Sequence, residues 1–195
     1  MIERIQINQL WKPIQESDFL IAGSPKGVGF SSFIAEWAAE KMFLNDSYSI
    51  LILTENKEAQ EKIISDILKA HKYYHFDGIG RDKDIVFSKR EKGSVTGVFC
   101  YNEIDLEAID EFYDVIIVDS DDFSNSLYSA VYTLMSNTAK LIFNTYDLPQ
   151  SIYYNFPEVK KVILFSEYNK KLRKELSNTY SSTINFDRIL DGKFE

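Results

Sequence analysis

The residues best suited to chemistry lie together in Gly23-Ser24-Pro25-Lys26-Gly27-Val28-Gly29-Phe30-Ser31-Ser32. An apolar run at 19–22 enters this stretch and an amphipathic run at 33–43 leaves it, in the order strand, glycine-rich turn, helix. In that order the N–H groups of the turn and of the helix N-terminus converge and favour an anion. A phosphate loop of the form G-x-x-x-x-G-K-[ST] uses its glycines for close backbone approach, its lysine for the terminal phosphates and its hydroxyl for Mg2+. With Gly29 on the second glycine, Ser31 falls on the hydroxyl and Ser24 on the first glycine, with Gly23 beside it. Phe30 falls on the lysine, and Lys26, inside the loop, could reach the phosphates from the other side. The same residues also read as a glycine-rich turn that holds no ligand.

A second candidate is acidic. The apolar run at 113–118 ends in Asp119-Ser120-Asp121-Asp122. Opposite a phosphate loop, a strand-end carboxylate holds Mg2+ directly or through water, and a neighbouring carboxylate orients the attacking water. Asp119 suits the first role. Ser120 cannot fill the second, which leaves Asp121, Asp122, or Glu55 at the end of the run 49–54, although Glu55 reads more simply as a helix-start residue. The competing reading has the acidic cluster cap the following helix, where Asp and Ser are favoured. Thr145, at the end of the run 140–144, is a third candidate. His71 and His75 would make a metal pair only with a third ligand, and the end of a surface helix accounts for them more simply.

The elements that must position these groups follow from periodicity. Strands are expected at 18–22, 49–54, 85–87, 94–101, 113–119, 140–144 and 159–165, and helices at 31–44, 56–69, 104–112, 123–135 and 168–176. Residues 1–17, with Trp11 and Pro13, form a lead-in. Residues 18–176 make one domain, and 177–195 are its polar extension. Apolar strands alternating with helices give an α/β fold, a three-layer sandwich with a mostly parallel central sheet. Ligands bind such sheets beyond the carboxyl ends of the strands, where the loop, Asp119 and Thr145 all fall.

The 195 residues suffice for one such domain. A net charge of −8 argues against a simple DNA-coating protein. A local patch of Lys160, Lys161, Lys170, Lys171, Arg173 and Lys174 would still allow DNA contact, although it also reads as a solvated helix face. The single cysteine, Cys100, permits no internal disulfide, and there is no Cys/His cluster for zinc. With no signal peptide and no apolar run long enough for a membrane, a soluble intracellular protein is expected.

Taken in order, these parts resemble the ATPase domain of the large terminase subunit, the motor that packs DNA into tailed-phage capsids. The resemblance covers roughly residues 18–166. It rests on the loop at 24–32, the run at 50–54, Asp114-Val115-Ile116-Ile117-Val118-Asp119, and Lys140-Leu141-Ile142-Phe143-Asn144-Thr145 with the Leu148-Pro149 that follows. The family's lambda-like branch has G-[aromatic]-[ST] in its phosphate loop and an earlier basic residue. Gly29-Phe30-Ser31 with Lys26 is similar to that variant. The resemblance implies a P-loop NTPase-like fold in which Ser24, Lys26, Gly27, Gly29, Phe30, Ser31 and Ser32 surround the phosphates of ATP. It further implies that Ser31 and Asp119 hold Mg2+ and that Thr145 reports the nucleotide state.

The partners it implies are double-stranded DNA, a portal or other packaging proteins, and further copies in a ring, in the cytoplasm of an infected host. The family's nuclease domain has no counterpart here, so an isolated motor domain, a separately encoded partner or a relative that has lost DNA cutting is expected. Ser120 stands where the family has its catalytic glutamate. With Phe30 it supports an alternative: a catalytically degenerate relative acting as a scaffold or assembly factor. ParA-like partitioning ATPases resemble Lys26-Gly27-Val28-Gly29 but keep a second lysine where Phe30 stands.

Overall fold

The computed structural model describes residues 3–24, 27–45, 47–73, 79–88, 94–120, 125–145 and 159–165. The strands are β1 (Glu3–Gln6), β2 (Phe19–Gly23), β3 (Ser49–Thr54), β4 (Ile79–Asp82), β5 (Ile85–Ser88), β6 (Val95–Cys100), β7 (Val115–Ser120), β8 (Leu141–Thr145) and β9 (Lys160–Phe165). The helices are α1 (Trp11–Glu16), α2 (Phe30–Leu44), α3 (Lys57–Tyr73) and α4 (Asn125–Ser136). By internal contacts the chain divides into two units, one of residues 1–30, 120–124 and 142–195, the other of 31–119 and 125–141.

In the first unit the strands run in the order β1-β9-β2-β8. β1 and β2 are both parallel to β9, with Ile5 opposite Leu164 and Leu20 opposite Lys160. Every residue of β2 and of β8 is buried. A parallel strand covered on both faces has no solvent side for polar residues, so it reads as an unbroken apolar run. Phe19 and Phe143 pack with ring centroids 6.1 Å apart. Leu10 and Ile14 are buried where α1 begins and turns.

In the second unit the order is β7-β3-β6-β5-β4. β3 is parallel to both β7 and β6, while β5 is antiparallel to β6 and β4. Ile34, Ala35, Trp37, Ala38, Ala39 and Met42 form the buried stripe of α2, at the three- and four-residue steps of a helix. Asn56 starts α3, its side-chain oxygen accepting from the Ala59 N–H at 3.0 Å. Leu127, Ala130, Val131 and Leu134 are the buried face of α4. The class is the expected α/β, with mostly parallel pairing among the described strands.

Three local expectations change. The helix expected at 104–112 is a single 3-10 turn, Leu106–Ala108, with the Asp105 carboxylate accepting from the Glu107 N–H at 3.1 Å. Asn137 donates its side-chain amide to the Ile109 carbonyl, which takes that group out of any helical ladder, and Phe112 is exposed. The lead-in contributes a strand, β1, as well as a helix. Residues 79–82 add β4 beyond the hairpin partner β5. The helix expected at 168–176 and the extension at 177–195 lie outside the described residues.

Candidate functional site

Asp119 stands near the carboxyl end of β7, held there by the fully buried run Val115 to Val118. Ser31 is in the first turn of α2, a helix pinned by its apolar stripe. The Ser31 Oγ donates to Asp119 Oδ2 at 2.7 Å, in a partly buried position, although 88 residues separate the two. This is the length of a charge-assisted O–H···O bond. A hydroxyl and a carboxylate oxygen at one point are hard donors. They fit Mg2+, which takes one or two protein oxygens and keeps several waters. Among the described residues no group of three or more His, Cys, Asp or Glu could hold a metal. His71 lies in the last turn of α3, and His75 is outside the described residues.

Beside this pair, Thr54 of β3 is level with Asp119 on one side and with Cys100 of β6 on the other. Thr54 is fully buried, and its hydroxyl donates to the Phe99 carbonyl at 3.3 Å. The Cys100 thiol is buried and donates to Gln60 Oε1 at 3.4 Å, so it belongs to the packing under the strand ends. Just past the same ends, Lys57 and Glu103 form an exposed ion pair at 2.9 Å. The hydrogen bond to Glu103 raises the Lys57 pKa above its ordinary value.

In the first unit, Ser24 is buried directly after β2, and its N–H donates to the Thr145 carbonyl at 2.9 Å. Thr145 is fully buried at the end of β8. Gly27 and Gly29 have φ of 79° and 95°, where a side chain is strained. A Cβ at Gly29 would meet nothing within 4 Å, so the constraint there is the backbone alone. Gly29→Ala is therefore expected to destabilise the protein by about 1–2 kcal/mol. Urea unfolding measures this, and an unchanged midpoint would contradict the positive φ.

Phe30 is only 3% exposed, so the side chain at the standard lysine position is part of the core and the loop gains no charge from it. Ser32 is exposed on the first turn of α2. Pro25, Lys26, Asp121 and Asp122 lie outside the described residues. The basic patch changes in one place. Lys161 is buried, with its Nζ donating to the Val159 carbonyl at 3.0 Å, so it is not a surface cation. Lys160 is half-buried, and Lys170, Lys171, Arg173 and Lys174 are outside the described residues.

Parallel strands, a positive-φ glycine turn running into a helix, and a hydroxyl bonded to a strand-end carboxylate are the features of a P-loop ATPase fold. The fold is specifically that of large-terminase ATPase domains. The chain is similar to the large terminase from a thermophilic bacteriophage in complex with ADP, at 14% identity and a TM-score of 0.67, over 96% of this chain and 52% of that one. It is similar to the Thermus phage P74-26 large terminase ATPase domain at 11% identity and a TM-score of 0.62, over 92% and 89% of the two chains. It is also similar to the Phi-28 gp11 DNA packaging motor at 10% identity and a TM-score of 0.50, over 86% and 56%. The chain thus spans about half the length of the first of these terminases. No protein-family model and no curated protein matches it.

Proposed function

We propose that the chain is the nucleotide-binding ATPase module of a viral DNA-packaging motor. The observation that carries this reading is the Ser31–Asp119 bond at 2.7 Å, in a chain with the large-terminase ATPase fold. The thermophilic bacteriophage terminase was solved with ADP and with ATP-gamma-S, and Phi-28 gp11 is a DNA packaging motor, which supports nucleotide as ligand and packaging as process.

In this reading the N–H groups of residues 27–32 receive the phosphates, with Gly27 and Gly29 shaping the turn. Lys26 supplies the cation that the buried Phe30 does not. Ser31 and Asp119 hold Mg2+, which when bound neutralises charge developing on the phosphates. Thr145, tied by its carbonyl to Ser24, senses the loop's state. Double-stranded DNA, a portal, other packaging proteins and further copies in a ring are the proposed partners, in the infected host's cytoplasm. No helix among the described residues is long and apolar enough to cross a membrane.

The test is calorimetric titration of ATP with Mg2+ into the wild type and into Lys26→Ala. Binding by the wild type and its loss in the variant are expected. No binding by the wild type at millimolar ATP would overturn the proposal. A second reading, a nucleotide-binding scaffold that does not hydrolyse, draws on the buried Phe30 and on Ser120 in place of a carboxylate. Nucleotide binding with no phosphate release, with or without double-stranded DNA, would favour it.

A further inference from the structure

Hydrolysis needs a group that orients the attacking water, most simply a carboxylate, and the residue after Asp119 is a serine, 4% exposed. We propose that Glu55 supplies that carboxylate from the neighbouring strand; the inference rests on the nucleotide reading above. β3 is parallel to β7, and Thr54 lies opposite Asp119. Glu55 is the next residue, so it stands one step beyond the level of Asp119. Adjacent strands are about 4.8 Å apart and rise about 3.3 Å per residue, which puts the two backbones roughly 6 Å from each other. A glutamate side chain is long enough to cross that distance.

The bend that carries Glu55 is fixed on both sides. The Glu55 carbonyl accepts from Asn102 Nδ2 at 3.3 Å. The next residue, Asn56, caps α3 through the Ala59 N–H. Glu55 itself is only partly buried, and among the described residues no hydrogen bond or ion pair engages its carboxylate. Among the described residues, two nearby carboxylates are engaged elsewhere: Glu103 by Lys57 at 2.9 Å, and Asp105 by the Glu107 N–H at 3.1 Å; Asp121 and Asp122 lie outside the described residues. A fixed backbone with an uncommitted acid suits a group that must accept a hydrogen bond from a water held near Asp119.

The step balances without a further reactant. The water oxygen bonds to the γ-phosphorus as the bond to the β,γ-bridging oxygen breaks, and that electron pair leaves with ADP. Glu55 accepts one water proton and passes it to solvent, and the other stays on the phosphate.

The experiment compares wild type, Glu55→Gln, Asp121→Asn, Asp122→Asn and the exposed control Glu58→Gln. It reads phosphate release, affinity for a fluorescent ATP analogue, and affinity for ADP with aluminium fluoride, which mimics the transition state. In Glu55→Gln, kcat is expected to fall about 100-fold or more, and ADP–aluminium fluoride binding to weaken, while the ATP analogue's Kd stays within about threefold. Glu58→Gln should match the wild type. A Glu55→Gln variant that turns over at the wild-type rate overturns the inference, as does a loss confined to Asp121→Asn or Asp122→Asn. A wild type that binds the analogue but releases no phosphate overturns the role of Glu55 and leaves nucleotide binding standing. A wild type that binds no analogue overturns the proposed function itself.

Discussion

Asp119→Asn is expected to leave the protein folded and to abolish the strengthening of ATP binding by Mg2+. Asparagine keeps the shape, and its carbonyl oxygen can still accept from Ser31 Oγ, now 2.7 Å from the carboxylate. What disappears is the charge. The bond becomes a neutral one, at a cost of about 1 kcal/mol, and the relief of a partly buried carboxylate offsets some of that. The stability change should therefore be small. On the proposed reading the functional change should be large, because of the two oxygens proposed to hold Mg2+, from Ser31 and Asp119, the anionic one is lost. Removing one preorganised electrostatic group of this kind lowers kcat about 100- to 1000-fold. ATP titrations with and without Mg2+, beside phosphate-release rates and a thermal melt, separate the two effects. A variant that responds to Mg2+ as the wild type does would sink the metal role of Asp119.

Trp37→Ala should give the largest loss of stability, about 3–5 kcal/mol. Trp37 is 2% exposed and is among the largest fully buried side chains. Its ring meets Tyr48 edge-on, with centroids 6.5 Å apart and planes at 72°, and the Lys41 ammonium lies 5.6 Å from its centroid. The edge contact contributes about 0.5–1.5 kcal/mol beyond area burial. The total is a large share of the roughly 5–15 kcal/mol by which domains are typically stable. Trp37 follows Ser31 on the same helix by less than two turns, so the cavity opens under the element that aims the Ser31 hydroxyl at Asp119. Urea unfolding of Trp37→Ala and Trp37→Phe is the measurement, with phenylalanine expected to recover most of the loss. A loss below about 1 kcal/mol in the alanine variant would mean that the neighbours close the cavity, against the packing described.

The apolar runs of the chain determined most of its sheet without help from tertiary context. β3 has the bounds read from the sequence, and β2, β7, β8 and β9 differ by one or two residues. Strands buried on both faces leave a continuous apolar signal, and α2, α3 and α4 leave a helical period. The edge strands escaped because their signal is not local. β1 holds one apolar residue in Glu3-Arg4-Ile5-Gln6 and is a strand because β9 pairs with it. β4, reading Ile79-Gly80-Arg81-Asp82, is a strand because β5 does. The 104–112 stretch had the spacing of a helix, but a helix of about nine residues is marginal alone, and the bond from Asn137 to the Ile109 carbonyl holds another backbone path. Residue types and spacing were enough to name the glycine turn, Ser31, Asp119 and Thr145 as candidates. Only the tertiary structure could bond Ser31 to Asp119 across 88 residues, set Thr54 opposite Asp119, and bury Phe30 and Lys161. Those relations depend on strand register and on which face of each element is covered, and both are fixed by long-range packing that no local stretch of sequence encodes.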